Sequence, residues 1–227
     1  MSHSRRSRLS RKIALPALAL ALSIVATTFS ASTSTAAVDR QPSAQHVVDS
    51  AQAELDRIMA LQPGGVQVSD NAVVWGNADA VLVVPDAGES VAPDGLGENV
   101  RAAKLTTRAM RRLDASSSTA KLSAADDPDY HGCPGGWAIK DYYCFYQYRG
   151  FGGRRMQFTG ATSAGVAEEW GFNNGTSAWL SRDVDCTVYA YRHNIAGSGW
   201  MWKQPENSRS SWVGPSNDNA MSKWTCP

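Results

Sequence analysis

Apolar residues recur at helical spacing near residue 50 and then in short runs that suit strands. The helical set ends at Pro63-Gly64-Gly65 and consists of Val47, Val48, Ala51, Leu55, Ile58 and Met59. Short strands are predicted at residues 66–68, 73–75 and 80–84, with a turn over Gly76-Asn77-Ala78-Asp79 between the last two. Residues 38–85 therefore form a small helix plus β-hairpin segment, which is either an appended subdomain or a removable pro-segment.

Residues 86–129 contain no aromatic residue and are rich in Gly, Pro, Ser and charge. Such a composition collects too little apolar surface to offset the entropy of ordering, so a flexible linker is predicted. Arg111-Arg112 matches a processing point, but we favour a solvated helix face, because charge runs usually indicate only that.

A turn signature repeats within residues 130–227. Tyr146, Phe151 and Gly153 are followed by Asn173-Asn-Gly-Thr-Ser177, and the echo is Tyr191 with Gly197, followed by Asn217-Asp-Asn-Ala-Met-Ser222. Repeated spacing of one turn device indicates a supersecondary unit built twice. The strands expected in the two units are 142–148, 154–158, 166–172 (or a helical turn there), 178–181, 187–191, 199–203, 211–213 and 220–224. We predict an all-β, two-sheet Greek-key sandwich of two units.

Gly153 is predicted to have a conformational role in the first unit. A glycine is needed where the chain takes a positive φ or passes close under an aromatic ring. Gly153 lies seven residues after Tyr146, so the ring of Tyr146 is expected to cover it.

Cysteine and aromatic residues are concentrated in the same region. All four cysteines, seven of eight tryptophans and all seven tyrosines follow residue 128, which places the stable core there. Four cysteines allow three pairings, and sequence alone does not choose among them. We favour Cys133 with Cys144 and Cys186 with Cys226 over free thiols, because export places the chain where oxidation persists.

The first 37 residues have the layout of a cleaved secretory signal. A basic head that includes Arg5-Arg6 precedes an apolar stretch over residues 13–25 and small residues up to Ala37. The apolar run is too short for a membrane anchor. We predict a secreted protein, by the general or the twin-arginine route.

Charge and motifs exclude several classes of function. Removal of the signal takes away five basic and no acidic residues, so the mature chain is mildly acidic and has no basic face for nucleic acid or membrane. The sequence contains neither Gly-x-Ser-x-Gly nor His-Glu-x-x-His, so we do not expect an enzyme. A monomer is expected.

The repeated signature resembles that of the βγ-crystallin domain, which is an aromatic, four residues, an aromatic, any residue and glycine, with a later serine. Tyr146, Phe151, Gly153 and Ser177 fill those places. More narrowly, the runs from Cys144 to Phe158 and from Trp170 to Trp179 resemble the exported peptidase-inhibitor family of actinobacteria, of the metalloproteinase-inhibitor type. The resemblance implies inhibition of an extracellular protease. We identify no inhibitory loop by sequence.

The resemblance also implies calcium sites, because many microbial members bind calcium through Asn/Asp-Asn/Asp-x-x-Ser/Thr-Ser in each unit and share ligands across the two motifs. The matching positions are Asn173, Asn174 and Ser177 in the first unit, and Asn217, Asp218 and Ser222 in the second. The first motif lacks the final serine, and the second has Met221 where a hydroxyl is needed. We expect no cofactor, or one calcium bound at about 10⁻⁴ to 10⁻³ M. Turn formation is the alternative role of these residues.

Exposed tryptophans could instead bind carbohydrate. Trp200 and Trp202 are expected on one strand face, where their rings could stack on sugars of a cell wall, although most tryptophans in a sandwich belong to its core.

Overall fold

The structure is a computed structural model that describes residues 44–97, 99–101, 103–114, 130–135, 142–182, 185–193, 199–218 and 220–227. The chain divides into two units, Met1–Asp39 and Arg40–Pro227. The predicted signal falls outside the described residues, and everything below concerns the second unit. In the described part, no helix has the length and apolarity needed to cross a membrane.

Helix α1 spans Ala44–Leu61, residues 107–114 form a second helix, α2, and the remaining regular structure is β. A 3₁₀ turn covers Arg149–Phe151. The strands are β1 Val66–Gln67, β2 Ala72–Trp75, β3 Ala80–Val83, β4 Tyr143–Tyr148, β5 Gly152–Phe158, β6 Ala164–Val166, β7 Ala178–Ser181, β8 Val188–Tyr191, β9 Trp200–Gln204, β10 Ser208–Ser210 and β11 Lys223–Thr225.

These strands form two antiparallel sheets with an exchange between them. One sheet has the order β1-β2-β3-β5-β4-β7-β10, and the other has the order β6-β11-β8-β9. Strands β4–β7 come from the first unit and β8–β11 from the second, so each unit places its third strand, β6 or β10, in the sheet of the other. The predicted two-sheet Greek-key sandwich is confirmed. The third strands lie at residues 164–166 and 208–210, earlier than the expected 166–172 and 211–213.

The amino-terminal helix and hairpin are built into the larger sheet. Strand β3 pairs antiparallel with β5, for example Leu82 with Met156, and strands β2 and β1 continue the sheet outward. Leu55 and Ile58 of α1 are fully buried in the core between the sheets. This segment therefore has the helix and strands predicted for it, and it contributes directly to the core.

Both faces of the seven-stranded sheet are covered. The inner face packs on α1 and the four-stranded sheet, where Trp224 is surrounded by Phe145 and Phe158. The outer face carries Tyr142 and Tyr146 and forms a second apolar cluster. As a result all seven residues of β5 are buried, whereas a half-exposed strand would alternate.

The described residues of 86–114 cover that outer face, which corrects the prediction of a flexible linker for this part. Ala92, Leu96, Ala109 and Leu113 are all buried there. These few apolar residues are widely spaced, so composition alone missed them. Residues 115–129 lie outside the described residues.

Arg155 fastens residues 86–97 to the sheet. Its side chain is fully buried, and its guanidinium donates to the carbonyl oxygens of Pro93 at 3.1 Å and Gly95 at 2.9 Å. It also donates to Oε1 of Gln157 at 2.6 Å. A buried charge needs such partners, so Arg155 and these carbonyls depend on one another.

Both favoured disulfides are present in the structure. Cys133–Cys144 has a Cα–Cα distance of 6.0 Å, and Cys186–Cys226 has 5.5 Å. The first bridge ties the segment before β4 to that strand. The second joins the beginning and the end of the second unit.

Candidate functional site

The two asparagine-rich loops lie against each other and not in isolation. The amide of Asn174 donates to the carbonyl oxygen of Met221 at 3.0 Å, and the amide of Val213 donates to the carbonyl oxygen of Ser177 at 3.0 Å. Asn174 has a φ of 52°, a left-handed conformation that asparagine tolerates. The loops therefore bring the candidate residues of one unit next to those of the other.

The first loop offers its polar side chains unevenly. Asn173 and Asn174 are exposed, whereas Ser177 is buried. Thr176 is fully buried, and its hydroxyl has no hydrogen bond partner among the described residues.

The second loop has a core residue where a ligand would be needed. Met221 is fully buried in the core between the sheets, so its thioether serves packing. The side-chain amide of Asn217 donates to the carbonyl oxygen of Val213 at 3.3 Å, which is turn chemistry. The amide of Ser222 donates to the carbonyl oxygen of Tyr191 at 2.9 Å.

Asp218, in the second loop, forms an ion pair with Arg149. Arg149, in the 3₁₀ turn after β4, donates from Nη2 and Nε to Oδ2 of Asp218 at 3.0 and 3.3 Å. The Asp218 side chain is only 17% exposed. The Arg149 guanidinium also lies over the Trp212 ring, 4.1 Å from its centroid.

The environment of Asp218 favours its charged form. Burial raises the pKa of this carboxyl. Hydrogen bonds from Ser177, Arg149 and Trp212, together with the charge of Arg149, lower the pKa by more than burial raises it, so it lies below its ordinary value. Asp218 is thus ionised at neutral pH.

The residues present do not fit the calcium that the resemblance implies. Calcium takes six to eight oxygen ligands. One of the two expected sites lacks its hydroxyl because Met221 stands there, and the Asp218 carboxylate expected at the other is bound to Arg149. Within the part of the chain that the structure describes, no group of three or more His, Cys, Asp or Glu residues could hold a metal ion.

The signature residues of the first unit have structural roles, but the ring next to Gly153 is not the one expected. Gly153 has a φ of 72°, as predicted, but the ring beside it is that of Tyr148, 2.8 Å from where a Cβ would stand. The expectation that Tyr146 covers Gly153 is corrected. Tyr146 is buried, packs edge-on against Phe151 at 5.2 Å and donates to the carbonyl oxygen of His131.

The equivalent residues of the second unit are only partly visible. Tyr191 is half-buried at the end of β8, and Gly197 lies outside the described residues. The clasp expected there stays a prediction.

Trp200 and Trp202 do not form one exposed face. Trp200 is 60% exposed, whereas Trp202 is 8% exposed and belongs to the core. The pairing of β8 with β9 is irregular between these positions, so the two side chains do not share a face.

Three exposed residues are linked by sequence or by contact. Tyr148 is 57% exposed and directly precedes Arg149 in the sequence, and Trp212 is 39% exposed with its ring under the Arg149 guanidinium. We call Tyr148, Arg149 and Trp212 the aromatic–arginine surface. It was missed because Arg149 and Trp212 are far apart in the sequence.

A cleft of about 400 Å³ opens between α1 and β5. Arg154 lies on its wall and forms an ion pair with Glu54, and its guanidinium stacks over Phe172 at 4.5 Å. Burial lowers the pKa of Arg154 to about 10, so it is charged at neutral pH. The ion pair between Arg154 and Glu54 therefore joins β5 to α1 across this cleft.

Comparison with known proteins finds similarity only in three-dimensional structure. No family model matches the chain, and no curated protein matches it. The chain is similar to a βγ-crystallin domain from Clostridium beijerinckii, with 15% identity and a TM-score of 0.32 over 37% of this chain and 95% of that one. It is also similar to a βγ-crystallin from Ciona intestinalis, with 16% identity and a TM-score of 0.31 over 38% and 99%.

A third similar structure comes from work on the evolution of the eye lens βγ-crystallin domain fold. It has 15% identity and a TM-score of 0.35 and covers 42% of this chain and 90% of that one. Our assignment of the sandwich depends on the strand order given above.

Proposed function

We propose that this protein is a secreted, non-catalytic binding module that inhibits an extracellular peptidase. The aromatic–arginine surface is the observation that supports the proposal. Tyrosine, tryptophan and arginine are the residue types that most often dominate binding energy at protein interfaces. Here they are exposed on a sandwich with two disulfides.

The surface is held in a fixed shape, which favours binding because little freedom is lost on docking. The amide of Gly150 donates to the carbonyl oxygen of Ser211 at 2.9 Å, which joins the 3₁₀ turn to the segment that carries Trp212. Arg149 stacks on Trp212 and pairs with Asp218. The two disulfides agree with an oxidising, extracellular location.

A panel of extracellular metallo- and serine peptidases tests this proposal. The oxidised chain is expected to inhibit at least one of them in a peptide-cleavage assay. Tyr148→Ala or Trp212→Ala should weaken that inhibition about 30-fold, as expected for a residue that dominates an interface. Trp200→Ala is the matched control, because it removes an exposed ring elsewhere. The proposal is wrong if the chain inhibits none of the peptidases.

Carbohydrate binding is a second candidate, favoured by the 60% exposure of Trp200 on β9. An exposed indole offers a flat face for a sugar ring. Retention on chitin or peptidoglycan should then be lost in Trp200→Ala and kept in Tyr148→Ala. If the protein is instead an inhibitor, Tyr148→Ala weakens inhibition and Trp200→Ala does not, so the two assays distinguish the two functions.

A further inference from the structure

The neighbourhood of Asp218 is that of a cation site, with a cation from the chain itself in place. The carboxylate is mostly buried, Ser177 of the other loop lies beside it, and the Arg149 guanidinium contacts Oδ2. A buried carboxylate is costly unless a positive charge or hydrogen bonds compensate it. Arg149 supplies both.

The backbone and Trp212 also position Arg149. Arg149 opens the 3₁₀ turn Arg149–Phe151, in which Gly150 has a φ of 66°. The Gly150 amide is bonded to Ser211, and the Trp212 ring lies under the guanidinium. The turn, its backbone hydrogen bond and the indole thus direct the guanidinium at the carboxylate.

We propose that Arg149 is a built-in cation that takes the place of a metal ion at the Asp218–Ser177 loop pair and excludes calcium from it. A calcium ion at this carboxylate would be repelled by the guanidinium at contact distance, and the guanidinium covers Oδ2. Removal of the charge leaves an ionised carboxylate beside the Ser177 hydroxyl, and both are oxygen ligands of the kind that calcium prefers. The inference does not depend on the proposed function.

Arg149→Gln is the variant that tests the proposal. It keeps a polar side chain of similar length and removes the charge. We expect the wild-type chain to bind no calcium in calorimetry, and Arg149→Gln to bind one ion at about 10⁻⁴ to 10⁻³ M. Terbium should report the same gain by luminescence sensitised through Trp212, which lies next to the site. Arg149→Lys keeps the charge and should bind neither ion.

Two controls identify the site. Arg101→Gln removes another arginine that is 59% exposed and paired with an aspartate, Asp70, and it should bind no calcium. The double variant Arg149→Gln/Asp218→Asn should lose the binding that the single variant gains.

Three results would overturn the proposal. The first is calcium binding by the wild type as tight as that by Arg149→Gln. The second is an Arg149→Gln chain with native near-ultraviolet circular dichroism that binds neither ion. The third is a higher melting temperature of wild type or Arg149→Lys in millimolar calcium than in chelator. This measurement still tests the proposal if Arg149→Gln does not fold.

Discussion

Strands β5 and β9 have equivalent places in the two Greek-key units, but their surroundings differ. β5 pairs on its outer edge with β3, and all seven of its residues are buried. β9 is the last strand of its sheet among the described residues, and Trp200 and Lys203 on it are exposed. The difference comes from the amino-terminal segment, which extends one unit and leaves its counterpart as an edge.

This comparison indicates that the two units are stabilised by different means. The first unit is covered by the hairpin on its edge and by residues 86–114 on its outer face. The second unit is closed by the bridge from Cys186 to Cys226, whose sequence separation is 40 residues. The following substitutions test each of these supports.

Arg155→Ala should have the largest effect, because it disconnects residues 86–97 from β5. It leaves the carbonyls of Pro93 and Gly95 and the amide oxygen of Gln157 without their buried donor, at about 1 to 3 kcal/mol each, and it adds a cavity. We expect a loss of about 5 kcal/mol in the free energy of unfolding, measured with urea. Lys203→Ala on β9 is the matched control and should change it by less than about 0.5 kcal/mol. Equal losses in the two variants would remove the distinction between the strands.

Removal of the second-unit disulfide should rank next. By loop-closure entropy, replacement of Cys186 and Cys226 by alanine costs about 4 kcal/mol, and replacement of Cys133 and Cys144, separated by 11 residues, costs about 3 kcal/mol. Thermal unfolding of the two double variants measures the order. A larger loss from the shorter bridge would mean that the second unit does not depend on its closure.

Leu82→Ala tests whether the hairpin belongs to the core. Leu82 is fully buried opposite Met156, so its truncation should cost about 3 kcal/mol. Val91→Ala, at a position that is 46% exposed, should cost less than about 0.5 kcal/mol. If Leu82→Ala has no effect on unfolding, the hairpin is not part of the core and the pro-segment interpretation gains support.

The sequence predicted the parts of the fold that have strong local patterns. Helix α1, the turn at 76–79 and strands β4 and β7 follow from helical spacing, turn residues and dense aromatics. The predicted positions of strands β6 and β10 were wrong because each strand has only three residues and none of them is buried. Strands of this kind have no alternation to detect.

The sequence did not predict the features that depend on contacts between distant residues. Arg155 appeared as one more charged position, although it is fully buried and holds Pro93, 62 residues away. The calcium motifs identified Asp218, but not the cation that occupies it, because Arg149 is 69 residues away. Local patterns carry no information on such pairs.

The smallest expected effect concerns the pH dependence of the Arg149–Asp218 pair. The pKa of Asp218 is lower in the folded chain than its unfolded value near 3.9, so its stabilising contribution is complete above about pH 4 and is lost as the pH falls through the folded pKa. Because the Arg149 side chain is 59% exposed, the pair should contribute less than about 1 kcal/mol.

Urea unfolding at about pH 6 and about pH 3 measures that contribution. Wild type should lose more stability on acidification than Asp218→Asn, which has no carboxyl to titrate. Arg149→Gln should lie between them, since Ser177 and Trp212 still lower the pKa of Asp218. Identical acid sensitivity in wild type and Asp218→Asn would show that the loop pair contributes nothing through this ion pair. The second unit would then depend on its disulfide and its core alone.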